Sequence, residues 1–410
     1  MEEELKPKLR FNNFENPWKQ SLLLKQVEIR RGLTYKPSDV RSSGVRVLRS
    51  SNIVDDTFIL SDDDVFVDKG VVNIPKISNG DILVTAANGS TKLVGKHAIV
   101  ENLVDNEIVV HGGFMLLFKT EQNYFVNAWM SSNEYKRVLQ FVQGGNGAIG
   151  NLSSTVLKIM EMSVPSVQEQ SAIGSLFRTL DKLLASYKDN LANYQSLKAT
   201  MLSKTFPKAG QTIPEIRLEG FEGKWQKYYL GDIFEQVSNY IEPSVENELW
   251  SLTVEKGLTP KTDRYKRDFL VKKNDKFKKV DLNEFVYNPM NLTLGALDLN
   301  NNEVTISVSG YYIVMKNRDM EKFDNDFLKI LLKTTYAIYQ YKQFATGTLI
   351  EKQRVQFPTF SEIPFYLPPI TEQQAIGAYF SNIDNLITSH QEKISQLETL
   401  KKKLLQDMFI

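Results

Sequence analysis

Ten cations fall between Lys256 and Lys279: Lys256, Lys261, Arg264, Lys266, Arg267, Lys272, Lys273, Lys276, Lys278 and Lys279. Only Asp263, Asp268 and Asp275 offset them, and Tyr265, Phe269 and Phe277 stand among them. Cations interleaved with rings suit contact with phosphates and stacking on bases. A looser group lies near the start, where Arg30, Arg31, Lys36, Arg41, Arg46 and Arg49 lead into Ser50, Ser51 and Asn52. The arginine fork matches two acceptors on guanine, and the asparagine amide matches adenine. Asn88, Ser90, Thr91 and Lys92 follow an apolar run from Asp81 to Thr85, placing small polar donors at a strand end. Each cluster alone also fits a solvated charged face; their occurrence in both halves favours nucleic acid. The candidate DNA contacts are therefore Arg30, Arg31, Lys36, Arg46, Arg49, Ser51, Asn52, Asn88, Ser90, Thr91, Lys92, Lys256, Lys261, Arg264, Tyr265, Lys266 and Arg267. Asn288 and Asn291 join them.

Material for catalysis is scarce. The histidines are His97, His111 and His390, and there is no cysteine, so no thiolate nucleophile, disulfide or metal set of usual spacing arises. His390 reads as part of a helical seam. No phosphate-binding lysine loop or dinucleotide fingerprint is present. Gly144-Gly145-Asn146-Gly147 lacks strand–turn–helix context and reads as a flexible loop. Asn288-Pro289-Met290-Asn291 has neither the second proline nor the aromatic of the motif that amino-methyltransferases place against a flipped base. The chain is expected to have no catalysis, metal or cofactor of its own.

What positions these residues is written twice. Pro7, Arg10, Phe14 and Trp18 recur as Pro214, Arg217, Phe221 and Trp225. Pro165, Glu169, Gln170, Ala172, Ile173, Gly174, Phe177 and Asp181 recur as Pro368, Glu372, Gln373, Ala375, Ile376, Gly377, Phe380 and Asp384. Such self-similarity fixes the architecture before function is considered. After each second phrase runs a long amphipathic pattern. Its seam is Ile173, Phe177, Leu180, Leu184, Tyr187, Leu191, Tyr194, Leu197 and Met201, then Ile376, Phe380, Ile383, Ile387, His390, Ile394, Leu397, Leu400 and Leu404. Steps of four and three predict a coiled-coil seam on rods of roughly 50 Å. Ser166-x-x-Glu169 predicts a capping box at the first helix start, and Pro207 ends that helix.

The segments before the rods hold apolar runs punctuated by glycine. Val45–Leu48, Asp81–Thr85, Ile108–Phe118, Phe285–Tyr287 and Val304–Met315 are expected strands; 124–141 and 326–344 are expected helices. The fold expected is α+β, with two globular domains separated by two long antiparallel coiled-coil helices and related by an internal pseudo-twofold repeat. Its parts are residues 1–165, a first domain; 166–206, a central helix; 207–213, a linker; 214–368, a second domain; and 369–410, a C-terminal helix. Seven residues, 207–213, separate Phe206 from Pro214, and seven also separate Phe409 from Pro7 if Ile410 is joined to Met1. The ends are therefore expected to lie together.

A length of 410 residues suits two to four domains. The net charge of +1 argues against a general polyanion binder, so nucleic-acid contact requires local arrangement or charge shared with partners. The polar N-terminus is unlike a signal peptide, and no apolar run approaches a membrane span; with no cysteine, a cytoplasmic location is expected.

The opening Pro-x-[Ile/Leu]-Arg-[Phe/Leu]-x-x-Phe-x-x-x-Trp phrase and the Pro-x-x-x-Glu-Gln-x-x-Ile-Gly phrase, each present twice, resemble those of type I restriction–modification specificity subunits. Gly80-Asp81-Ile82-Leu83 and Phe285–Met290 resemble phrases of their target-recognition domains. The likeness covers essentially the whole chain. It implies two target-recognition domains, each reading half of a bipartite, asymmetric site in double-stranded DNA, with half-site centres about one helical turn apart. It implies helices that act as a ruler and docking surface for two modification subunits, which carry S-adenosylmethionine, and restriction subunits, which use ATP and Mg. A coiled-coil scaffold binding no nucleic acid, and an orphan or antirestriction specificity subunit, are the competing readings.

Overall fold

The computed structural model describes residues 5–142, 151–208, 210–244, 247–261, 277–347 and 353–410. The chain divides into two compact units: residues 1–188 with 392–410, and residues 189–391.

The first unit is built on a four-stranded antiparallel sheet ordered Glu28–Arg31, Met115–Lys119, Ile82–Thr85, His97–Ile99. A second sheet runs Val109–His111, Val45–Leu48, Val65–Val67, Val40–Arg41, its first pair parallel. The second unit repeats the main sheet as Phe234–Val237, Ile313–Asn317, Glu284–Tyr287, Leu297–Leu299, with the same order and antiparallel pairing. Its smaller sheet is Tyr240–Ile241, Phe277–Val280, Ile306–Ser309. A two-stranded ribbon precedes each long helix, Lys19–Leu22 with Glu161–Val164 and Gln226–Tyr229 with Pro364–Leu367.

Two expected strands are broken, both at the same place. Ile108–Phe118 splits into Val109–His111 and Met115–Lys119, and Val304–Met315 into Ile306–Ser309 and Ile313–Asn317. In each case the halves belong to different sheets, so a turn must redirect the chain. The two expected medium helices are also divided, into Asn123–Ser131 and Asn133–Val142, and into Asn325–Leu331 and Thr335–Phe344. Hydroxyls at the breaks start new helices: Thr334 Oγ1 accepts the Ala337 N–H at 3.1 Å.

The long helices are Val167–Lys204 and Ile370–Asp407. In the first unit they run antiparallel, with Asp181 against Lys401 at 2.7 Å and Lys188 against Glu398 at 2.9 Å. In the second, Lys198 pairs with Asp384 and the Tyr194 and His390 rings lie 5.2 Å apart. Asp181–Lys401 and Asp384–Lys198 are the same bridge, repeated. It corrects the expected seam: Leu197 and Leu400 point outward, 42% and 44% exposed, while Lys198 and Lys401 occupy the half-buried positions. Strict alternation of four and three continues from Tyr194 to residue 198, and from Leu397 to residue 401. Geometry therefore outranks the apolar side chain one position earlier.

The repeated phrases prove to be joints. Arg10 grips Glu169 with both nitrogens at 2.7 Å, and Arg217 grips Glu372 at 2.7 and 2.6 Å. Such two-point pairs are the strong kind, and both carboxylates are fully buried. The capping box is consequently half made: Ser166 Oγ accepts the Glu169 N–H at 3.3 Å, but the carboxylate turns to Arg10 and the Trp18 indole. Gln170 and Gln373 donate to the carbonyls of Pro165 and Pro368. Gly174 and Gly377 are required by close approach, since a methyl group there would stand 2.9 Å from the Phe125 nitrogen and 3.0 Å from Asp324 Oδ1.

Each core is closed by a distant phenylalanine. Phe409 packs among Trp18, Phe125 and Phe177 in the first unit, and Phe206 among Trp225, Phe327 and Phe380 in the second. The chain ends lie together as expected: the Leu9 N–H donates to the Asp407 carbonyl at 2.7 Å. Ile216 and Lys204 make the equivalent bond at 2.9 Å.

Candidate nucleic-acid interface

In the first unit, three loops meet where the two sheets diverge. The short turn Ser50–Asn52 follows Val45–Leu48, and the loop after Ile82–Thr85 carries Asn88. Asn88 Nδ2 donates to Ser50 Oγ at 3.3 Å, and Asn88 Oδ1 accepts the Ser90 N–H at 3.0 Å. The third loop is the Gly112–Phe114 turn. A methyl group on Gly112 would touch Arg49 Cγ at 3.9 Å, and one on Gly113 would touch Thr34 Oγ1 at 3.2 Å. Arg49, Ser51, Ser90 and Lys92 are exposed around it, as is Lys36. Thr91 begins the short turn Thr91–Leu93. Arg31 donates to Ser154 Oγ, beside the Asn151 bridge to Ala87. These candidates therefore share one end of the unit.

Two candidates do not survive as contacts. Asn52 is fully buried: its Nδ2 donates to Asp64 Oδ1 at 2.6 Å, and its Oδ1 accepts the Arg49 N–H at 2.8 Å. Arg46 is held by Asp64 at 2.6 Å and Glu107 at 2.7 Å, and its guanidinium lies 4.7 Å from the Phe66 ring centre. Its charge is balanced by two carboxylates and its Nε and Nη1 donors are engaged, so both residues build the loop rather than read from it. Arg30 is half-exposed but paired with Glu28 at 2.7 Å. The histidines are structural. His97 and His111 are buried and desolvation lowers both their pKa values; both His97 ring nitrogens face backbone carbonyls, and His111 Nε2 faces that of Arg30. Among the described residues no group of His, Cys, Asp and Glu could hold a metal ion.

In the second unit, Asn288 to Asn291 form the loop after Glu284–Tyr287, matching the Asn88 loop. Asn288 Oδ1 accepts the Met290 N–H at 3.0 Å, and the Asn291 carbonyl accepts from Leu294 and Ala296. Asn291 is exposed, as are Lys256 and Lys261. Arg264, Tyr265, Lys266 and Arg267 lie outside the described residues, as does Gly144–Gly147. Lys278 departs from the solvated basic stretch: it is only 5% exposed and donates to the Tyr312 carbonyl at 2.7 Å. Desolvation lowers its pKa.

Sequence reasoning missed the two most exposed large apolar side chains among the described residues, Phe114 at 75% and Tyr311 at 84%. The signal was a glycine–aromatic pair inside each over-long strand, Gly113-Phe114 and Gly310-Tyr311.

The fold is thus a duplicated scaffold with polar loops at equivalent sheet ends. Residues 222–399 match the family model of the type I restriction modification DNA specificity domain. The chain is 24% identical over 351 residues to a putative type I restriction enzyme MjaX specificity subunit of Methanocaldococcus jannaschii, covering 80% of this chain and 76% of that one. It is 21% identical over 425 residues to the type I restriction enzyme StySPI specificity subunit of Salmonella potsdam, covering 92% and 85%. The solved S subunit of a type I restriction-modification system from M. genitalium shares the fold at a TM-score of 0.62, with 14% identity and 99% of both chains covered. Residues 222–399 thus carry the likeness to that specificity domain, and most of the chain is similar to type I restriction enzyme specificity subunits.

Proposed function

We propose that the chain reads a bipartite, asymmetric DNA site, one half with each unit, and holds methyltransferase and restriction subunits on that site without catalysing a reaction itself. The observation that carries this is the duplication. The main-sheet order, the Arg–Glu joints and the helix bridge are repeated, whereas the loops at the sheet ends differ in sequence. A constant frame with two different reading ends suits a site of two unlike halves.

The helices support a partner present in two copies. Leu183 and Leu400 are exposed on the helix pair of the first unit, and Leu197 and Leu386 on that of the second. They are the same positions in the repeat, each beside the repeated Asp–Lys bridge. Modification subunits bound there would bring S-adenosylmethionine, and restriction subunits would bring ATP and Mg. Exposed Arg49, Lys92, Lys256 and Lys261 suit phosphate contact, and Asn88 and Asn291 suit base edges. No helix among the described residues is long and apolar enough to cross a membrane.

The test is a methylome of the source organism with and without the gene. The expected result is that a two-part adenine motif loses methylation on deletion and regains it on complementation. An unchanged methylome, with no motif enriched from duplex pools by the assembled complex, would overturn the reading.

A further inference from the structure

The turns that break the two over-long strands are equivalent. In each, the fourth residue's N–H bonds the first residue's carbonyl: Met115 to Gly112 at 2.8 Å, and Tyr312 to Ser309 at 3.0 Å. Phe114 and Tyr311 hold the same third position. Each turn carries the chain from the unit's second sheet to the central strand pair of the main sheet. That third position ordinarily takes glycine, asparagine, aspartate or serine, which suit its backbone angles or hydrogen-bond locally. An aromatic ring there contributes almost no burial, being 75% exposed in one unit and 84% in the other. Folding does not explain why both diverged units keep one.

Both rings stand on fixed bases. The Phe114 carbonyl accepts the Ala86 and Ala87 N–H groups at 2.9 and 3.1 Å, tying the turn to the start of the Asn88 loop. The Tyr312 carbonyl accepts the buried Lys278 ammonium, and Ile313 pairs with Tyr287, next to the Asn288 loop. The two glycines of the turn lie against Val47 and the Arg49 methylene chain at Gly112, and against Thr34 Oγ1 at Gly113. A solvated ring on a turn tied to the base of an amide-bearing loop, in a unit with Arg49 and Lys92 exposed, matches the apolar side chains that meet a thymine methyl or wedge between base steps.

We propose that Phe114 and Tyr311 contact nucleobases directly, each setting base preference in one half of the DNA site. This rests on the DNA-reading function proposed above. The rings supply apolar contact to a base edge or step, while Arg49 and the asparagine loops supply hydrogen bonds and phosphate contacts.

The experiment uses the full chain assembled with modification subunits and a pool of random duplexes from which bound sequences are selected. Wild type is compared with Phe114→Ala, Tyr311→Ala and the conservative Phe114→Tyr and Tyr311→Phe. Each alanine variant should relax preference at one or two positions of one half-site only, a different half for each. Each should also weaken binding to the wild-type motif about tenfold, the scale of one specific base contact. The conservative variants should keep the motif. Unchanged motifs and affinity within twofold in both alanine variants would overturn the inference while leaving the DNA-reading function intact. A uniform affinity loss without change of motif would also overturn it, since that marks a phosphate or packing contact. If the wild-type complex itself enriches no motif, the underlying function falls, and the inference with it. Both side chains lie in solvent, so the variants should fold; an unchanged melting curve checks this.

Discussion

Phe409 sits with its ring 6.2 Å from that of Trp18, so the last turn of the chain closes a core opened by its first residues. Phe206 stands 6.4 Å from Trp225 in the same relation. Both phenylalanines are only 4% exposed. Truncating either to alanine should cost about 3–5 kcal/mol of its unit's stability. Denaturant unfolding followed by tryptophan fluorescence should show the first unit destabilised by Phe409→Ala and the second by Phe206→Ala. An equal loss in both units from one substitution would contradict this assignment.

The Arg–Glu joints should behave alike. Arg10→Ala leaves Glu169 buried without its counter-ion, and Arg217→Ala does the same to Glu372. Breaking a buried pair from one side costs roughly 3–5 kcal/mol. Chemical denaturation of the two single variants should give similar losses. A change below about 1 kcal/mol in either would mean the joint is dispensable.

Arg46 and Arg49, three residues apart, should separate stability from binding. Arg46→Ala removes the cation from Asp64 and Glu107 and should lower the unfolding midpoint markedly. Arg49→Ala should leave the midpoint unchanged, weaken DNA binding and reduce its salt dependence by about one counterion. Binding titrations at several salt concentrations, run beside melting curves, distinguish the two.

Acid should weaken the first unit before the second. Burial lowers the pKa of His97 and His111, so the folded unit resists protons that the unfolded chain accepts. Stability from these groups is full above the unfolded value of about 6.5. It is lost as pH falls below that value, and the loss levels off once pH is below the depressed folded values. Unfolding midpoints of the first unit, read at pH 7.5, 6.5 and 5.5, should fall at each step. A midpoint that rises on acidification would show that the histidines are not buried neutral.

Much of the frame was legible in the sequence because period and repetition are local properties. Long helices lie where the seams run, Val167–Lys204 and Ile370–Asp407, and Arg10, Trp18 and Glu169 announce themselves by recurring. The reading surface was much less legible. Arg46, Arg49 and Asn52 look interchangeable in a basic run, yet Asp64 and Glu107, brought from elsewhere in the chain, capture Arg46 and Asp64 captures Asn52. Lys278 reads as one more solvated cation until its strand places it beneath a turn.

The sequence by itself determined the duplication, the two long helices with their starts, the α+β alternation and the meeting of the ends. These follow from spacing along the chain, which sets how side chains line one face of an element. Only the tertiary structure decided that Lys198 and Lys401, rather than leucines, complete the seams. It also decided that Phe206 and Phe409 close the cores, and that Phe114 and Tyr311 stand in solvent on redirected turns. Those outcomes depend on which distant segments pack together, and that pairing is set by the competition of all contacts at once.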